Sequence, residues 1–122
     1  LTFEKDGKAL QHKGHKLSLT NACNDHDGKD MRFVLWWQGK NPKDNAFYIS
    51  TADKHDRKYI ASSLELTTKE KAAQFSIADL GNGKGHVITE IDSGKQLSVE
   101  KDGCVALTKN ASDAFKVFSV TF

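Results

Sequence analysis

The sequence holds little of what fixes a fold by special chemistry: 122 residues contain one proline, one methionine and two cysteines. Cys23 and Cys104 show neither metal-ligand nor redox spacing, and a single bridge or two free, partly buried thiols fit them equally. No apolar run approaches the ~20 residues that a membrane-spanning helix requires. The longest, Phe33-Val34-Leu35-Trp36-Trp37, has the length of a strand, so no membrane insertion is expected. Low-complexity stretches are also lacking, which excludes a disordered or fibrous chain. An excess of one charge is lacking too. Eighteen Lys and Arg stand against sixteen Asp and Glu, a net charge of +2, with the lysines scattered along the chain. Nucleic-acid binding needs a denser basic face, and no nucleic-acid partner is expected.

What remains is one ordinary domain, 1–122, long enough for one core and too short for two. The chain begins at Leu1 without an initiator Met, which points to a removed signal peptide or to a domain cut from something longer. With the sequon Asn110-Ala111-Ser112, this tilts the expected localisation toward secreted or extracellular, with cytoplasmic as the alternative.

The chain repeats itself. Its third copy reads Gly94-Lys95-Gln96-Leu97-Ser98-Val99, then Asp102-Gly103, Cys104-Val105-Ala106-Leu107-Thr108 and Ala114-Phe115-Lys116-Val117. The first copy reads Gly7-Lys8-Ala9-Leu10, Gly14, Leu17-Ser18-Leu19-Thr20 and Phe33-Val34-Leu35. The second, most divergent in its turns, reads Arg57-Lys58-Tyr59-Ile60, Leu64-Glu65-Leu66-Thr67 and Gln74-Phe75-Ser76-Ile77. Phe33, Phe75 and Phe115 stand 42 and 40 positions apart, room for four strands and their turns per copy. Apolar and polar residues alternate inside each element, which predicts strands with one buried face. Lys5-Asp6-Gly7-Lys8, Asp92-Ser93-Gly94 and Lys101-Asp102-Gly103 supply the Gly and Asp that tight hairpins need. The helix-like stretch from Thr68 to Ala73 is too short to stand alone and reads as a connector.

Three copies of four antiparallel strands admit a three-bladed propeller, a sandwich or a barrel capped by hairpins; propellers need more blades. At these residues the chain resembles the β-trefoil superfamily, over essentially its whole length. The resemblance implies an all-β fold with pseudo-threefold symmetry and units of about 1–40, 41–84 and 85–122. The third copy is similar to fascin-type repeats, and the Gln-x-Trp signature of ricin B repeats is missing.

Candidate chemistry is sparse. The loop Asn24-Asp25-His26-Asp27-Gly28-Lys29-Asp30 is rich in oxygen ligands but departs from the EF-hand spacing, with glycine three positions after the first Asp and no closing Glu. Of five histidines only His12 and His15 lie close together, and no ligand set completes them. No metal, cofactor or catalytic set is expected. Small closed barrels fill their interiors with side chains, which also disfavours an enzyme.

The aromatics say more. Phe33, Phe75 and Phe115 are expected in the core, with Phe3, Phe47, Ile49, Val87 and Ile91 lining first strands. Trp36 and Trp37 are adjacent, so on a strand they face opposite ways and one is expected to be exposed. With Tyr48 and Tyr59 such a ring offers a surface for stacking a sugar or a protein partner, with hydrogen bonds from Asn45, Asp53 and Asp56. Lys8, Lys58 and Lys95 recur after the first turn of each unit, as anion contacts or for solubility. Two functions follow as expectations: a non-catalytic, lectin-like carbohydrate-binding module, or a protein-interaction trefoil of the fascin or protease-inhibitor kind. The specific site is expected where the copies differ.

Overall fold

The computed structural model describes residues 2–5, 8–13, 16–19, 32–81, 83–99, 105–109 and 119–121. Cys23, Cys104, the loop 24–30, His15, Gly14, Gly103, the sequon and Phe115 lie outside the described residues. Among the described residues the strands are twelve: β1 (Thr2–Lys5), β2 (Lys8–Lys13), β3 (Lys16–Leu19), β4 (Phe33–Trp37), β5 (Phe47–Thr51), β6 (Tyr59–Ile60), β7 (Leu66–Thr67), β8 (Phe75–Asp79), β9 (His86–Glu90), β10 (Gln96–Val99), β11 (Val105–Thr108) and β12 (Ser119–Thr121). The fold is all-β, and every pair among the described strands is antiparallel. The Thr68–Ala73 stretch holds a single 3-10 turn, Lys69–Lys71, between β7 and β8. It is the connector its length predicts.

One sheet runs β12-β1-β2-β3, and the other β11-β10-β9-β8-β5-β6-β7 with β4 added on β5. Nine of the ten pairings recur every fourth strand, and the tenth, β5 with β8, has no counterpart among the described strands. β1 with β2, β5 with β6 and β9 with β10 make one set. The hairpins β2 with β3, β6 with β7 and β10 with β11 make a second. β12 with β1, β4 with β5 and β8 with β9 make a third. Lys5 stands opposite Lys8 across β1 and β2, and the Asp6-Gly7 turn expected between them lies outside the described residues. Gly94, at φ +72, supplies the left-handed residue before β10.

The core gathers Phe3, Leu10, Phe33, Ile49, Ile60, Leu64, Leu66, Ala73, Phe75, Ile88 and Leu97. Phe3 meets Phe33 edge to face at 5.7 Å, joining the two sheets. Burying each such ring contributes about 2–3 kcal/mol by area. The void left among these side chains, about 10 Å³, is apolar and at the lower limit for one water, so this core holds no ligand. Ile91 departs from expectation. The inward phase of β9 falls on Ile88 and Glu90, so Val87 is half-buried and Ile91, in the following turn, is exposed. The Glu90 carboxylate is buried and accepts the Ser93 hydroxyl at 2.5 Å.

The β6–β7 hairpin also departs from its strand-like sequence. Leu64 precedes β7 with φ +66, a conformation costing a branched residue about 1 kcal/mol or more. Ile60 pairs with Leu66, Leu10 with Leu19 and Leu97 with Leu107. The second hairpin is therefore the shortest, and the tight return, closed by Leu64 N–H to Ala61 O at 2.8 Å, turns Leu64 into the core.

Candidate functional site

β4 ends in its two tryptophans, which face opposite ways as strand neighbours must. Trp37 continues the row of Phe33 and Leu35 past the end of the core, so its ring emerges 49% exposed. It is nevertheless held in place. Its Nε1 donates to Asp44 O at 2.9 Å, and Phe47 stands opposite it in the β4–β5 ladder. A Cβ on Gly39 would lie 2.6 Å from its Cζ2 and 2.5 Å from Asp44 Cβ, so the ring rests on bare Gly39 backbone.

The segment 38–46 that frames Trp37 is built from turn formers. Pro42 occupies the second place of a turn closed by Asp44 N–H to Asn41 O at 3.0 Å, where its fixed φ is favoured. Asp44 Oδ2 accepts Lys40 N–H at 2.8 Å and Asn41 N–H at 3.0 Å. These bonds, that from Asn41 foremost, hold its carboxyl below the ordinary value. Asn45 then ties the segment to β8: its Nδ2 donates to Ile77 O at 2.7 Å and its Oδ1 accepts Ile77 N–H at 2.9 Å. Asn45 thus acts as a one-residue strand extension, and its amide is engaged with backbone.

Beside Trp37 opens a cleft of about 260 Å³ lined by Leu35, Asp44, Asn45, Phe47, Ile77, Asp79 and His86. That is near the small end of ligand pockets, ~300–1,000 Å³. Leu35, Phe47 and Ile77 give it an apolar floor, and two carboxylates stand at its rim. Asp79 Oδ1 accepts Gly81 N–H at 2.8 Å, and His86 faces Asp79 across the β8–β9 ladder. The second oxygen of each carboxylate is without a partner among the described residues. Rigid aromatic ring, apolar floor and open acceptors are what a polyhydroxylated ring meets well: C–H faces on one side, hydroxyl donors on the other.

The other expected site residues lie elsewhere. Trp36, Tyr48 and Tyr59 occupy the outer face of β4, β5 and β6, all half-buried, with Tyr48 and Tyr59 edge to face at 6.1 Å. Asp53 and Asp56 are exposed in the 52–58 segment, where Asp53 Oδ1 accepts His55 N–H at 2.9 Å. So the structure brings Trp37 and Asn45 together, and separately Trp36, Tyr48 and Tyr59. Asp44, Asp79 and His86 escape sequence reasoning because only the ladder places 79 against 86, and only the Asn45 clip brings both to Asp44.

Among the described residues no helix is long and apolar enough to cross a membrane, and no group of three or more His, Cys, Asp or Glu could hold a metal. The chain matches no protein-family model and shows no significant similarity to any curated protein.

Proposed function

We propose that the chain is a non-catalytic carbohydrate-binding domain of β-trefoil type, with units of about 1–40, 41–84 and 85–122, binding a sugar ring at Trp37 and the adjoining cleft. The trefoil reading is supported by three sets of strand pairings, nine of the ten pairings, that recur every fourth strand. The binding reading is carried by one observation: Trp37 is half exposed yet fixed by Asp44 and Gly39, an arrangement that costs little ordering entropy when a ligand stacks on it. Leu35, Phe47 and Ile77 take the apolar side of the sugar, and the open oxygens of Asp44 and Asp79 accept its hydroxyls.

A glycan array followed by calorimetry tests this. Trp37→Ala is expected to weaken any neutral-glycan hit by about tenfold or more while the domain stays folded at a lowered thermal midpoint, because a ring stacked on a ligand is a typical binding hot spot. Failure of every neutral glycan at millimolar concentration sinks the reading.

A further inference from the structure

The outer face of β4, β5 and β6 carries a second arrangement with different chemistry. Trp36 Nε1 donates to Ser50 Oγ at 2.7 Å, and Ser50, fully buried, passes the chain on to Thr51 O at 3.0 Å. This fixes the indole plane. Over that plane sits the Arg57 guanidinium, its Cζ 4.7 Å from the ring centroid. Arg57 leaves an equally firm base: Thr51 N–H donates to Lys58 O at 2.8 Å, and Lys58 N–H donates to Thr51 Oγ1 at 3.0 Å.

A guanidinium lying over an aromatic face keeps its N–H donors directed outward, in the fork that matches an oxyanion. Among the described residues no carboxylate pairs with Arg57. The segment around it is basic, with Lys54, Arg57 and Lys58 against Asp53 and Asp56, and Asp53 already engages the His55 amide. The stack also closes the Trp36 face to a neutral sugar.

We propose that Arg57, seated on Trp36, is the receptor for an oxyanion carried on a sugar, a sulfate ester or a uronate carboxylate. This site is separate from the Trp37 cleft; that a sugar carries the oxyanion rests on the carbohydrate-binding reading above. Its chemistry is charge-assisted hydrogen bonding to a cation whose orientation is set by the ring beneath.

The test uses the intact chain and four probes: a sulfated disaccharide, a uronate-containing disaccharide, a neutral disaccharide and inorganic sulfate. Nitrogen-resolved NMR follows the Arg57 Nε–H and Trp36 Nε1–H signals. At least one acidic disaccharide is expected to move both signals, with affinity falling as salt rises. Arg57→Ala is expected to lower that affinity about tenfold or more. Arg57→Lys is expected to restore only part of it, since a point charge lacks the fork. The proposal is overturned if neither acidic disaccharide moves these signals, if only inorganic sulfate does, or if Arg57→Ala binds like wild type. Arg57 is exposed, so its variants are expected to fold; matching thermal midpoints check this.

Discussion

Gly39 shows how much a single missing side chain can decide. Added methyl carbon there meets two rigid groups, the Trp37 ring and Asp44 Cβ, neither of which is the loose end of a flexible chain. Gly39→Ala is expected to push the ring off its seat, costing about 1–3 kcal/mol as overpacking does and weakening glycan binding together with stability. Denaturant unfolding and calorimetry on the same variant check both. Asp44 makes a pH statement at the same spot. Its folded carboxyl is held low, so its contribution to the 40–44 turn is complete above the ordinary carboxylate range and is lost as pH falls through the lowered folded value. The Trp37 indole signal is expected to hold its position down to that range and shift only on further acidification; a shift centred near neutral pH contradicts the assignment. Asn45→Ala is expected to cost about 1 kcal/mol, since it removes two bonds to Ile77 backbone at an exposed place.

The β6–β7 hairpin sets a test at the scale of an element. Its short return puts Leu64 in a left-handed conformation and into the core together. Leu64→Ala keeps the backbone strain and loses the packing, for about 2–3 kcal/mol. Leu64→Gly loses the same packing and relieves the strain. Glycine is thus expected to be no worse than alanine here, the reverse of their usual order in ordered strands. Chemical denaturation of the two variants decides it, and a glycine variant clearly below the alanine one refutes the strain argument.

At the scale of the whole molecule, the sequence announces most of what is periodic. Alternation marks the strands, and the recurring Phe33 and Phe75 are core as expected. Thr68–Ala73 is a short connector, and one tryptophan of the pair is exposed. What periodicity cannot carry is phase and proximity. Ile91 is expected to line a first strand, yet β9 ends one residue earlier with Glu90 facing inward and Ile91 is exposed. Tyr48 and Trp37 look like one aromatic group along the chain, but adjacent strand positions alternate between faces and the ladder divides them. The cleft is invisible for the same reason, because Asp44, Asp79 and His86 meet only through cross-strand pairing and the Asn45 clip.

The divided tryptophan pair gives the protein two built-in optical reporters one residue apart. Trp37 meets solvent, whereas Trp36 lies half-buried beneath a cation and bonded to a buried hydroxyl. Their emission therefore separates spectrally: a red-shifted component open to neutral quenchers comes from Trp37, and a bluer one from Trp36, shielded by Arg57. Iodide and caesium are expected to treat Trp36 unequally, since its covering charge draws the anion and repels the cation. Single Trp→Phe variants assign the components, so occupancy of the cleft and of the outer face can be followed independently in one unlabelled sample.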